Sequence, residues 1–112
     1  MSDCLFCGIV AGKIPANIVY SDELVVAFSD IHPQAPVHIL IIPRVHTASL
    51  NQTDDGALLG HIMKTAAKLA RDKGISESGY RVILNCNQDG GQTVYHLHAH
   101  LLGGRALGWP PG

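Results

Sequence analysis

His96-Leu97-His98-Ala99-His100-Leu101-Leu102 alternates a side chain that can ligate a metal or attack as a nucleophile with an apolar one. A period of two is the mark of a β-strand with one buried face. His96, His98 and His100 then share one face, with Cα atoms about 6.6 Å apart at a rise near 3.3 Å per residue. Leu97, Ala99 and Leu101 enter a core on the other face, and the strand runs over Tyr95–Leu102. Two chemistries use such a row. A His-x-His pair can bind a metal, or a neutral imidazole can attack while its neighbours position an anion. The plain alternative is a solvated histidine-rich edge.

Just upstream, Asn85, Gln88, Gly90, Gly91, Gln92 and Thr93 combine small residues with amide and hydroxyl donors. Glycines permit a concave backbone whose N–H groups point inward, an arrangement that cradles phosphate. Joined to a nucleophilic histidine, the Asn87–Gln92 loop points to phosphoryl chemistry. Further back, Tyr80–Cys86 is predicted as a strand, preceded by a long helix. Leu58, Leu59, Ile62, Met63, Ala66, Leu69 and Ala70 repeat at helical spacing, with Thr53 or Asp54 as the cap and Gly74 as the stop. Gly60 inside that helix predicts close approach of another element, because glycine there costs up to about 1 kcal/mol. Val37–Ile42, closed by Pro43, is a β-branched strand. Asp30–Pro36 holds two prolines and reads as an ordered loop. Ile18–Tyr20 and Val25–Ser29 form a hairpin, and Phe6–Ala11 one or two helical turns. Several short strands, one main helix and no strict βαβ alternation give α+β with a mostly antiparallel sheet.

The 112 residues suit a single domain over 1–112. Charged residues reach only 15% against 46% hydrophobic, which excludes a disordered tail or a coiled coil. Eight Lys and Arg against nine Asp and Glu leave a formal charge of −1, a poor match for nucleic-acid binding through many phosphate contacts. A small ligand fits better. No apolar run approaches the roughly 20 residues of a membrane span. Met1-Ser2-Asp3-Cys4 shows no basic stretch followed by an apolar one, so no secretory signal is read and a cytoplasmic location is expected. In that setting Cys4-Leu5-Phe6-Cys7 suggests thiol or metal chemistry in preference to a disulfide framework.

The histidine segment resembles the His-φ-His-φ-His-φ-φ signature of the histidine-triad superfamily. Gly90-Gly91-Gln92-Thr93-Val94-Tyr95, Leu102-Gly103-Gly104-Arg105, Trp109-Pro110-Pro111-Gly112, Asp30-Ile31, Pro33–His38 and Leu59-Gly60-His61 resemble its Hint branch, the histidine-triad nucleotide-binding proteins. The likeness spans nearly the whole chain. It implies a five-stranded, mostly antiparallel sheet with a short N-terminal helix and one main helix, assembled as a two-fold homodimer. It also implies hydrolysis of purine nucleoside 5′-phosphoramidates and aminoacyl adenylates through a nucleotidyl-histidine, with no cofactor required for catalysis. By matching position, His98 is the nucleophile, His38 takes part in moving a proton, and His96 and His100 complete the catalytic set. Asn85, Gly91, Gln92, Thr93, His98 and His100 would hold the phosphate, and Asp30 the ribose hydroxyls. Phe6, Ile9, Phe28 and Ile31 would form the base slot, with Trp109 on the leaving-group side. Thr93 stands where serine is commoner, and His32 where many relatives carry serine. Zinc-bearing relatives share the Cys-x-x-Cys, which by position would join His46 and His96 in a closed Cys₂His₂ structural site. The alternatives are a zinc hydrolase using two of the three row histidines, a nucleotide-binding scaffold, and a dinucleoside polyphosphate hydrolase.

Overall fold

The computed structural model describes residues 4–112; the reading of Met1–Asp3 as the start of a chain without a leader lies outside the described residues. A five-stranded sheet forms the centre, with strands β1 (Ile18–Ser21), β2 (Val25–Ser29), β3 (Val37–Pro43), β4 (Tyr80–Ile83) and β5 (Ala99–Gly103) in the order β1-β2-β3-β5-β4. Every neighbouring pair is antiparallel. The helices are α1 (Leu5–Val10), α2 (Gly56–Asp72) and a single turn α3 (Asn87–Gly90). The α+β expectation holds.

Helix α2 covers one face of the sheet. Its Ile62, Ala66, Leu69 and Ala70, spaced three and four apart, pack with Val25, Ala27, Ile39, Ile41, Leu97, Ala99 and Leu101. Helix α1 covers part of the other face, where Phe6 and Ile9 meet Val26, Phe28, Leu40 and Ile42. Strand β3 is thus buried on both sides, which is why Ile39–Ile42 reads as an unbroken apolar run. His38 has the parity of Leu40 and Ile42, and His100 is opposite to Ala99 and Leu101, so both imidazoles project on the α1 side. Leu40 pairs with His100 in the β3–β5 register and His38 with Leu102, making His38 and His100 diagonal neighbours.

Several local expectations are corrected. Strand β5 begins at Ala99, four residues later than Tyr95, because Leu97 N–H bonds the carbonyl of Thr47 instead of a neighbouring strand. Strand β4 ends at Ile83, and Asn87–Gly90 coils into α3 where a loop is predicted. The cap of α2 is Asp55, whose carboxylate accepts from Leu58 N–H at 3.0 Å; Thr53 Oγ1 instead accepts from Asp55 N–H at 3.1 Å. Gly60 faces open space, with no described atom near a Cβ built there, and Met63 is exposed, so both lie on the outward face of α2. His61 on α2 is half-buried, with Nε2 2.7 Å from Asp22 Oδ2, an oxygen that also accepts from the Tyr20 hydroxyl at 2.7 Å.

Candidate active site

A cavity of about 650 Å³ opens on the α1 side of the sheet. Phe6, Ile9, Phe28 and Leu40 are among its apolar walls, while Asp30, His38, His98, His100 and Thr93 bring polar groups to it. Phe6 meets the rings of Phe28 and His98 edge-on, with centroids 5.4 and 5.1 Å away. A slot with apolar walls and convergent polar groups at one end fits a ligand that is a flat ring joined to an anion.

Hydrogen bonds fix the proton on each imidazole. His98 Nδ1 lies 2.7 Å from the carbonyl of His96, which can only accept, so Nδ1 carries the proton and Nε2 keeps its lone pair. His38 Nδ1 accepts from Gln34 N–H at 3.0 Å, so a neutral His38 carries its proton on Nε2. That atom lies 2.9 Å from His100 Nδ1, which must accept, and 3.4 Å from Asp30 Oδ2. The proton of His100 is then on Nε2. One chain of donors runs from a main-chain amide through two histidines into a cavity lined by His100.

Burial keeps these rings neutral. It lowers the pKa of His98, with the bond to the His96 carbonyl and the charge of Asp30 opposing in part. It lowers that of His38 as well, again against Asp30. His100 is pushed down to about 4 by burial and then by the neighbouring His98 and His38. A buried neutral imidazole with an outward lone pair is a nucleophile at pH 7 without a separate base.

The row of three does not share one environment. His98 and His100 line the cavity with ring centroids 5.0 Å apart, but His96 is fully buried and does not line it. His96 Nε2 bonds the Pro43 carbonyl at 2.8 Å, which leaves Nδ1 as the lone pair. That lone pair is 3.3 Å from Cys4 Sγ, 3.6 Å from Cys7 Sγ and 3.3 Å from His46 Nδ1, and Cys7 Sγ is 3.2 Å from His46 Nδ1. A tetrahedron built on zinc–nitrogen and zinc–sulfur bonds has edges of roughly 3.3–3.8 Å. The tautomer, the carbonyl behind His96 and the separations all fit that ion. Asp30, His38 and His100 also gather donor atoms within 4.8 Å. They do not fit a metal, because His38 Nε2, the atom that would ligate, already holds the proton that Gln34 excludes from Nδ1.

The upstream loop serves the cavity less than expected. Gly91 N–H bonds Gln88 O and Gln92 N–H bonds Asn87 O, so neither is aimed at a ligand. The Gln92 side chain is spent on Asn87 N–H, Ala48 O and Val94 O. Asn85 does not line the cavity, and of this group Thr93 alone does. Trp109 stands 82% exposed beside Arg81, away from the cavity of its own chain. Ile31 lies on the rim, as does His32. Leu5, Ile14, Leu40 and Val94 are wall residues that the sequence reading missed; the parity of Leu40 with His38 along β3 was the available signal.

The HIT domain family model matches residues 11–107. A purine nucleoside phosphoramidase of Escherichia coli is 51% identical over 108 residues, covering 95% of this chain and 91% of that protein. A HIT family hydrolase of Legionella pneumophila superposes with a TM-score of 0.96 at 54% identity, over 98% of this chain and all of that one. A Zn-bound histidine triad family protein of Mycobacterium smegmatis superposes at 0.82 and 31% identity, over 92% of this chain and 76% of that one. With the histidine row, the antiparallel sheet and the lined cavity in agreement with these likenesses, the chain belongs to the HIT domain family.

Proposed function

We propose that this protein is a purine nucleoside phosphoramidase that works through a nucleotidyl-histidine. The carrying observation is the 2.7 Å bond between His98 Nδ1 and the His96 carbonyl, which leaves the Nε2 lone pair of a cavity-lining ring for attack. The relative of that activity in Escherichia coli, 51% identical, supports the substrate class. In the first step His98 Nε2 bonds to the α-phosphorus, the phosphorus–nitrogen bond of the substrate breaks, and the departing amine takes up a proton. The positive charge that develops on His98 is delocalised toward Nδ1, whose N–H donates to the His96 carbonyl. His100 Nε2–H, backed by His38 Nε2–H, donates to a phosphate oxygen, and His38 takes part in delivering the proton to the amine. Water then attacks phosphorus, giving up a proton that replaces the one delivered to the amine, the bond to Nε2 breaks, and His98 returns neutral. Asp30 accepts from the ribose, Phe6, Ile9, Phe28 and Ile31 enclose the base, and Thr93 contributes a hydroxyl to the phosphate.

Cys4, Cys7, His46 and His96 would hold a structural zinc ion that ties the N-cap of α1 to the segment carrying His98; all four donors are protein atoms, so no position is left for a reacting water. The Zn-bound relative supports this assignment. The protein acts as a cytoplasmic homodimer, consistent with the outward face of α2, where Met63 is exposed and Gly60 leaves open space. Trp109 then reaches the leaving-group side of the partner subunit. Hydrolysis of an adenosine 5′-phosphoramidate, followed by release of AMP, tests the reading. Turnover that survives chelation while the fold is retained supports it. Activity lost with the metal and restored by zinc, the fold being constant, would contradict it in favour of a metal hydrolase.

A further inference from the structure

Arg105 lies outside the cavity lining, yet its hydrogen bonds lead back to the site. The turn after β5 passes close over the 30–36 loop: Gly104 has φ +91°, and a Cβ there would sit 2.9 Å from Pro36 Cβ. Only glycine combines that left-handed backbone with that approach. The next residue, Arg105, is thereby set against the loop. Its Nε and Nη2 both donate to the Gln34 carbonyl, at 3.1 and 3.0 Å, while Nη1 donates to Ala106 O at 3.0 Å. The guanidinium plane is thus held at its outer edge, and its inner edge clamps one oxygen. Gln34 is held a second time through its side chain, which donates to His32 O at 3.0 Å. The amide N–H of this doubly held residue makes the 3.0 Å bond to His38 Nδ1.

We infer that Arg105 is a positioning residue for the hydrolysis: through the Gln34 backbone it fixes which nitrogen of His38 carries the proton. The inference rests on the role proposed above for His38 and His100. If the Gln34 amide turns away, His38 is free to hold its proton on Nδ1. Its Nε2 then presents a lone pair to His100 Nδ1, 2.9 Å away. His100 can answer only by moving its own proton to Nδ1, which leaves Nε2 with nothing to donate to a phosphate oxygen. A single turned amide on the surface therefore removes a donor inside the cavity. Arg105 touches none of the reacting atoms in this scheme.

The test joins kinetics to nitrogen-15 correlation spectra of the histidine side chains, which separate lone-pair-bearing from protonated ring nitrogens. In the wild type His38 Nδ1 is of the lone-pair type. In Arg105→Ala it shows mixed protonation and kcat falls roughly tenfold, the usual scale for a group supporting a catalytic side chain, with KM changed by less than about twofold. Arg105→Lys keeps the charge and one donor and recovers part of both signals; it also serves as the variant to compare if Arg105→Ala does not fold. An unchanged His38 spectrum in a folded Arg105→Ala protein overturns the inference whatever His38 does in catalysis. A scrambled His38 with kcat unchanged overturns it at the other link, and places the failure in the proton role of His38 and His100.

Discussion

His98 is a histidine whose two nitrogens have been given different jobs by one short bond to the main chain. A carbonyl two residues upstream accepts a hydrogen bond from Nδ1–H, and burial keeps the ring uncharged. Replacing His98, as His98→Asn, removes the Nε2 lone pair proposed to attack phosphorus, and the loss in kcat should reach roughly 10³-fold or more, measured on an adenosine phosphoramidate, with nucleotide binding retained. The pH profile follows from the same burial. Because the pKa of His98 lies below the ordinary 6.5, the acid limb of kcat/KM has its midpoint below that value; a midpoint at or above it would contradict the site as described. Stability moves the same way. An unfolded His100 binds its proton near 6.5 and the folded ring only near 4, so stability is held above the first value and declines as pH falls through that window. Each such histidine adds at most about 1.4 kcal/mol per pH unit, readable in urea midpoints. The histidine spacing picked out three imidazoles, of which His98 and His100 line the cavity. It could not show the split between His96 and its neighbours, because the chain leaves the sheet before Ala99 and turns His96 toward two cysteines 89 and 92 positions away.

Strand β3 explains why the elements were readable. A run buried on both faces is apolar throughout, and His38 interrupts it where a polar group is needed on the cavity side. Helix α2 was legible for the opposite reason, since its buried residues fall on one stripe. Ile62→Ala, at a side chain with no exposure, should cost about 2–5 kcal/mol in denaturant unfolding. Asp55→Ala, which removes the carboxylate from Leu58 N–H, should cost about 1 kcal/mol and leave kcat untouched. The cap was misplaced by one residue because Thr53, Asp54 and Asp55 all carry capping side chains, and tertiary packing chooses among them. The stretch Asn87–Gly91 reads as a loop for a related reason: two glycines and two amides suggest an anion cradle, but the fold closes it on its own carbonyls. Gly60 predicts close approach of another element, and the structure places it on the outward face of α2 with open space beside it.

At the scale of the molecule, two clusters on the α1 side share one segment. The cysteine–histidine cluster fixes His96, and the His96 carbonyl fixes His98 two residues on. Zinc in the first cluster would thus hold the nucleophile through the main chain without touching substrate. Metal analysis of protein purified without chelators should find one zinc per chain, and Cys4→Ser should lose it and lower the melting temperature. Wild-type protein with no zinc and no thermal response to chelators would contradict the assignment. The sequence pointed to these four residues only through likeness, since one Cys-x-x-Cys does not say which histidines the fold will bring to it. A dimer is an expectation of the same kind, and light scattering at twice the mass of the 112-residue chain is the result it predicts.

Covalent attack by a single nitrogen, His98 Nε2, is read directly by rapid quench of an adenosine phosphoramidate reaction followed by peptide mass spectrometry. An adenylyl adduct is predicted on the peptide carrying His98, absent in His98→Asn. An adduct on His96, His100 or His38, or turnover with no adduct at any quench time, would contradict it.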